Sequence, residues 1–229
     1  MKSNYSGRDN LEIMADASNY NNFLISLVKN EILPCYRVVD FGAGIGTFAK
    51  SISSFGFDVD CVEPDSKQIS VIESLGFIVF SDISQIEDHS VDLIYTLNVL
   101  EHIEDDFDVL TQCFNKIKPG GYLLIYVPAF KILFSSMDFL VGHFRRYSRK
   151  DLTDKVTNAG FNISRCEFVD SIGFFASLIF KIFGNKNGTI NRNALITYDR
   201  YIFPFSRLLD TFMHHLLGKN IFIVARKPF

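Results

Sequence analysis

The chain has 229 residues, 48% of them apolar, with 23 Lys/Arg against 26 Asp/Glu, which predicts one α/β domain able to bury roughly 70% of its unfolded surface. Its four scattered cysteines, Cys35, Cys61, Cys113 and Cys166, make no C-x-x-C pair or Cys/His cluster, which argues against a zinc framework and a disulfide-stapled scaffold. The first residues lack a basic segment followed by an apolar core and a cleavage site, so a cytoplasmic location without a signal peptide is expected.

Residues 10–33 place Leu11, Met14, Phe23, Leu24, Leu27, Val28 and Ile32 at broadly helical spacing ahead of Pro34, so residues 1–36 read as a helical cover. A strand over 37–42 then runs into the turn Gly42-Ala43-Gly44-Ile45-Gly46 and a helix over 45–54. In this G-x-G-x-G spacing Gly42 permits the tight turn, Gly44 admits a ligand against bare backbone, and Gly46 lets the helix pack closely. Asp40 stands just before the turn, and Glu63 follows 23 positions later at the end of a strand over 57–63. That offset suits a carboxylate gripping ribose hydroxyls, so an adenosine-containing cofactor is expected. The third glycine of the dinucleotide fingerprint is replaced by Thr47, and no cation follows the turn before Lys50. Asp40 would repel a diphosphate and suits a cationic ligand instead.

Beyond this point helices over 66–75 and 103–117 alternate with strands over 77–81, 91–97 and 121–128, the pattern of a parallel sheet with right-handed crossovers. A helix over 149–159 and strands over 161–169 and 221–226 complete the series. The last two strands are separated by residues 170–219, far more than the two to five residues a hairpin needs. The apolar run 172–183 is too short for a bilayer, which takes about 20 residues. Residues 198–217 add a second apolar series with Arg200, Arg207 and Lys219 in or beside it. The insertion therefore reads as a cap on the core, a peripheral membrane or lipid-linked-acceptor surface, or an oligomer contact. Charge divides the chain: residues 1–130 carry 8 Lys/Arg against 19 Asp/Glu, a net −11, and residues 131–229 carry 15 against 7, a net +8. An anionic partner on the C-terminal side fits that asymmetry, as does a plainly solvated basic face.

The segment Val38-Val39-Asp40-Phe41-Gly42-Ala43-Gly44-Ile45-Gly46 resembles the first motif of class I S-adenosylmethionine (SAM)-dependent methyltransferases. Asn98-Val99-Leu100-Glu101-His102, Lys118-Pro119-Gly120-Gly121 and Gly142-His143-Phe144-Arg145-Arg146-Tyr147 resemble segments of the small-molecule branch, methyltransferase types 11 and 12. The resemblance runs from about Val38 to Lys227 and is weakest over 171–218. It implies a Rossmann-like, seven-stranded, mostly parallel sheet with an antiparallel last strand and helices on both faces. It implies SAM held by Asp40, Gly42, Ala43, Gly44, Gly46, Glu63, Pro64, Asp82, Ile83, Asn98 and Val99, with Asp82 at the adenine amine and Tyr20 closing over the site.

On the acceptor side His102 is the leading base, His143 a second base, Tyr147 a hydrogen-bond donor, and Arg145 with Arg146 an anion clamp. The plainer alternatives are a histidine with no proton-transfer role and an arginine paired to Asp138 or Asp151. Some relatives hold a divalent metal with Glu-x-x-Glu-His. Here Asn98 takes the first place, leaving Glu101 and His102, so no metal is expected. The function expected is methyl transfer from SAM to a small-molecule acceptor, with a sugar, glycan or lipid-linked intermediate as candidates and oxygen as the favoured atom. The alternatives are an NAD(P)- or nucleotide-sugar-dependent oxidoreductase or epimerase, and a noncatalytic SAM-binding scaffold. Nucleic acid is disfavoured, because the fourth strand is not followed by an Asn/Asp-Pro-Pro-aromatic segment. Oligomeric state is left open.

Overall fold

The computed structural model describes residues 13–183 and 192–229. After helix α1 (Ser18–Lys29) come β1 (Arg37–Phe41), α2 (Thr47–Ser53), β2 (Asp58–Val62), α3 (Ser66–Ser74), β3 (Val79–Phe80) and β4 (Val91–Leu97). Next are α4 (Asp106–Lys116), β5 (Ile117–Pro128), α5 (Ser136–Leu140), α6 (Arg149–Asn158) and β6 (Asn162–Val169). The insertion supplies α7 (Ser171–Phe183), α8 (Arg192–Thr197), a π-helical turn (Tyr198–Ile202) and α9 (Phe203–Met213) before β7 (Asn220–Arg226). The sheet order is β3-β2-β1-β4-β5-β7-β6. The pairs among β1 to β5 are parallel, and β7 runs antiparallel to both β5 and β6.

The two faces of the sheet follow from strict alternation along each strand. Val38, Leu93, Leu124 and Phe222 meet Leu24, Ala49, Ile52 and Ile72 on one face. Val39, Ile94, Ile125 and Ile223 meet Leu110, Leu152 and Val156 on the other. Strand order reverses between β1 and β4, which opens a crevice beyond their carboxyl ends. Every part of the site described below gathers at that end.

Predicted and observed boundaries part where side chains capture backbone amides. The helix expected from residue 103 begins at Asp106, because Leu100–His102 forms a separate 3₁₀ turn. Asp105 then caps the helix by accepting from Asp108 N–H at 3.1 Å. The strand expected over 77–81 shrinks to Val79–Phe80, since Ser81 N–H donates to Gln85 and Ser84 N–H to Asp82. β5 starts four residues early, at Ile117, and pairs with Val91 across a register shift.

Three buried aspartates tie the insertion down. Asp199 accepts from the N–H groups of Asn19 (2.9 Å) and Tyr20 (2.8 Å), so it caps α1 from 180 residues away. Asp210 accepts from Asp170 N–H (2.9 Å), Ser171 N–H (2.8 Å) and the Ser171 hydroxyl, which caps α7. Asp170 accepts from Tyr198 Oη (2.6 Å), Ser206 Oγ (2.7 Å) and Gly173 N–H (3.0 Å). The polar residues of an otherwise apolar segment thus satisfy helix ends that burial would leave unpaired. The opposite face of α9 stays bare: Phe205, Leu208 and Phe212 are exposed.

Candidate functional site

The glycine turn is built as its spacing implies. Gly42, Gly44 and Gly46 all have positive φ. A Cβ on Gly42 would lie 2.4 Å from Val99 Cγ2, so only glycine lets the turn press against the end of β4. A Cβ on Gly46 would meet Leu75 at 3.2 Å, which brings α2 close to α3. Gly42 and Ala43 N–H both donate to Val62 O, at 2.9 and 3.1 Å. Glu63 closes the turn from the next strand: Oε2 accepts from Gly44 N–H at 2.9 Å and Oε1 from Asp65 N–H at 3.0 Å. Burial raises the Glu63 pKa, opposed by those two bonds. Pro64 follows on the exposed side.

Asp40 sits in register between Cys61 and Tyr95 and is buried. Its Oδ2 has no hydrogen-bond partner among the described residues, and burial pushes its carboxyl up to about 7. Asp82 is exposed and caps the Ile83–Gln85 turn by accepting from Ser84 N–H at 2.8 Å. Hydrogen bonding to Ser84 holds its pKa below the usual carboxylate range, while Ile83 is buried in the core. Asn98 adopts positive φ, and its N–H donates to Tyr126 O at 2.7 Å. Its Nδ2 donates to Tyr20 Oη at 3.2 Å. Tyr20 is packed edge-on to Tyr126 and Phe203, and burial pushes its hydroxyl up to about 12. The helical cover therefore meets both β4 and the insertion at this one tyrosine.

Directly after Val99 the fold assembles a second cluster. Glu101 is fully buried with neither carboxylate oxygen hydrogen-bonded among the described residues, and burial pushes it up to about 8. The His102 and His143 rings pack edge to face at 4.6 Å. Desolvation and then the charge of His143 push His102 down to about 4, although its outer edge faces solvent. His143 Nδ1 lies 2.9 Å from Asp138 Oδ1, and its Nε2 lies 3.9 Å from Glu101 Oε1. Asp138 also accepts from Arg146 Nε at 2.7 Å and, through Oδ2, from Ser135 N–H at 2.8 Å. These partners hold its carboxyl well below the usual range against the opposing effect of burial. In neutral His143, a proton on Nδ1 facing Asp138 leaves Nε2 as the acceptor.

Several expected roles change. Tyr147 is fully buried, and its hydroxyl is taken up inside the fold by Leu100 O (3.1 Å) and Asp106 Oδ2 (2.7 Å). It fixes the loop and does not face an acceptor. Arg146 is paired to Asp138, the plainer alternative, yet its Nη1 is buried with no hydrogen-bond partner among the described residues. Arg145 pairs with Asp106 at 2.9 Å and donates to Glu104 O at 2.7 Å. Metal donors were counted as two from the sequence. Folding adds His143, so ligand atoms of Glu101, His102 and His143 all lie within 4.8 Å of one another, a set that could take a divalent cation with open positions.

Sequence reasoning missed Asp138 as the orienting carboxylate and, although it noted Lys219 beside the insertion, missed that residue's burial near the carboxylate. The pattern Ser135-Ser136-Met137-Asp138 carries a helix-start signal that could have exposed the first. Desolvation lowers Lys219, whose ammonium feels Asp170, Arg146 and Asp138. No local pattern marks it.

Comparison with known proteins agrees with the geometry. A family profile described as a methyltransferase domain matches residues 8–165. A probable S-adenosylmethionine-dependent methyltransferase from Mycolicibacterium smegmatis is 32% identical over 91 residues, covering 38% of this chain and 33% of that protein. A ubiquinone biosynthesis O-methyltransferase from Xanthomonas campestris is 28% identical over 103 residues, covering 41% of this chain and 43% of that protein. The chain thus spans less than half the length of these curated relatives. Among solved structures, phosphoethanolamine N-methyltransferase 2 from Haemonchus contortus, in complex with phosphomonomethylethanolamine and S-adenosylhomocysteine, superposes with a TM-score of 0.67 at 18% identity. That match covers 99% of this chain and 58% of the other and bears on the fold alone.

Proposed function

The chain belongs to the methyltransferase-domain family, and from that premise we propose that it transfers a methyl group from SAM to a small-molecule acceptor, at oxygen. The observation that carries the reading is the buried Asp40 carboxylate, whose Oδ2 has no hydrogen-bond partner among the described residues, beneath a three-glycine turn clasped by Glu63. These residues fit the cofactor: a buried carboxylate oxygen left without a partner suits a cation, and the bare turn admits a ligand against the backbone. Asp40, Gly42, Ala43, Gly44, Gly46, Glu63 and Pro64 would hold it with Asp82, Ile83, Asn98 and Val99. When bound, SAM supplies an electrophilic methyl on a sulfonium. The chain's own work is positioning and proton removal. His143, oriented by Asp138, accepts the acceptor's proton at Nε2. His102 packs against it and limits its rotation. Arg146 counters the charge on Asp138.

An O-methyltransferase among the relatives supports oxygen as the acceptor atom. The basic, apolar C-terminal half supports a sugar, glycan or lipid-linked acceptor met at a membrane surface, with residues 170–219 as the peripheral contact. No helix among the described residues is long and apolar enough to cross a membrane.

Calorimetric titration of SAM and S-adenosylhomocysteine tests the cofactor half. Glu63→Ala removes a charged hydrogen-bonding group worth about 1.5–3 kcal/mol, so binding should weaken roughly 10- to 100-fold. Unchanged binding in that variant, or binding of NAD in place of SAM, would sink the reading. A second role for Glu101, His102 and His143 is favoured by their three convergent donor atoms. Chelation would abolish turnover if they act through a cation and leave it intact if His143 acts alone.

A further inference from the structure

The insertion has two unlike sides. On the outer one, Phe175, Ile179 and Ile182 of α7 are 49%, 60% and 63% exposed, and their spacing of four and three residues puts them on one side of the helix. Phe205, Leu208 and Phe212 make the corresponding stripe of α9, with exposed Tyr201 in the turn before it. The two helices pack together, and Ile172 N–H donates to Ser206 Oγ at 2.9 Å between them. Exposed apolar stripes of this extent mark an interaction surface. Charge on this side has one sign. The acids of residues 170–219 are Asp170, Asp199 and Asp210, and all three are buried. Arg192 pairs with Asp16 at 2.6 Å, whereas Lys181 and Arg200 are exposed and make no ion pair among the described residues.

The inner side grips the helical cover. Besides the two N–H groups that Asp199 caps, Asn19 Nδ2 donates to Asp199 O at 2.9 Å. Buried Phe203 packs edge-on to Tyr20 and Phe23, at 5.6 and 5.8 Å. The Arg207 guanidinium stands 3.7 Å from the centre of the Phe23 ring. Tyr20 in turn meets Asn98, the neighbour of Val99, against which Gly42 presses. Residues 199–207 therefore carry an exposed apolar face on one side and the contacts of the cofactor's roof on the other.

We propose that an anionic lipid surface docks on the outer stripes of α7 and α9 and, by holding residues 199–207, strengthens cofactor binding beneath Tyr20. This rests on the reading that SAM binds at the glycine turn and that residues 170–219 meet a membrane, and it adds how the one regulates the other. Charge selects the occupant. A second copy of the chain would bring the same acid-free face against Lys181 and Arg200, like charge against like. An anionic bilayer complements both cations and takes the apolar stripes below its headgroups. The coupling follows from shared residues. Docking restrains the segment that supplies the Asp199 cap and the Phe203 wall, so α1 is ordered before the cofactor arrives, and binding costs less ordering. Linkage demands the reverse effect in equal measure.

The test is titration of S-adenosylhomocysteine into the full chain, alone and with phosphatidylglycerol vesicles, with co-sedimentation of the same samples. Vesicles should tighten S-adenosylhomocysteine binding at least about fivefold, and saturating S-adenosylhomocysteine should raise vesicle affinity by the same factor. Amide exchange at Asn19 and Tyr20 should slow on vesicles. Asp199→Ala should still dock but lose the enhancement. Tyr20→Phe, which keeps the ring and drops the bond to Asn98, should lose most of it. Equal S-adenosylhomocysteine affinity with and without vesicles, from protein that co-sediments, would overturn the coupling, as would full enhancement in both variants. Failure to co-sediment would overturn the docking face, and a dimer in solution that Phe205→Glu separates would give that face to a second copy. If S-adenosylhomocysteine binds neither the free nor the docked protein, the methyl-transfer reading falls as well.

Discussion

Asp40 links the glycine turn to a measurable pH effect. Its carboxyl titrates at about 7 in the folded protein because it is buried, and a cationic ligand is attracted only to the ionised form. The ionised fraction rises from about a tenth at pH 6 to about nine tenths at pH 8, so SAM affinity should climb roughly tenfold across that window. Asp40→Asn should bind weakly with no slope, and calorimetry at three pH values decides. A parent protein with pH-independent affinity would remove Asp40 from the cofactor's surroundings. Asp40, Glu63 and the glycines were legible because their chemistry depends on local spacing along two adjacent strands. Asp138, Arg146 and His143 lie within eight residues of one another, yet their pairing depends on how one loop folds back. Tyr147 looked like an acceptor-side donor, and only the tertiary structure reveals that Asp106, 41 residues away, takes its hydroxyl.

Secondary elements were legible to the extent that periodicity set them. Each β-strand was placed to within four residues, since alternating burial on a two-faced sheet leaves a strong period. The insertion was legible as apolar helix but not as architecture, because its organisation comes from Asp170, Asp199 and Asp210, whose roles are capping contacts with distant segments. That gives an element-scale prediction. Asp199→Ala removes the cap of α1 and should cost about 0.5–2 kcal/mol, read as a lowered urea midpoint. Amide exchange at Asn19 and Tyr20 should accelerate selectively, while β4 and β5 stay protected. Uniform acceleration across the sheet would mean that α1 and the insertion are not a separable unit. Tyr20 joins them to Asn98, so loosening the cap should also weaken cofactor binding.

At the scale of the whole molecule, positive charge and exposed apolar side chains fall in the same half of the chain. The half of the chain with net charge +8 also carries Phe205, Leu208 and Phe212 on the solvent face of α9, 68%, 65% and 78% exposed. A basic surface with an aromatic and aliphatic stripe favours the interface of an anionic bilayer. The protein should therefore co-sediment with phosphatidylglycerol vesicles and less with neutral ones, with retention falling as salt rises. Replacing all three residues by serine should weaken retention at least about tenfold. Equal retention by the triple variant would exclude this face. The cap that Asp199 provides has a further consequence for how the molecule comes into being. The helix it caps is translated near the start of the chain, whereas Asp199 emerges some 180 residues later. During synthesis the parallel strands can pair while α1 still lacks its cap, and the cover closes only after Asp199 has left the ribosome. A nascent protein can thus shape its glycine turn before the roof over it is capped.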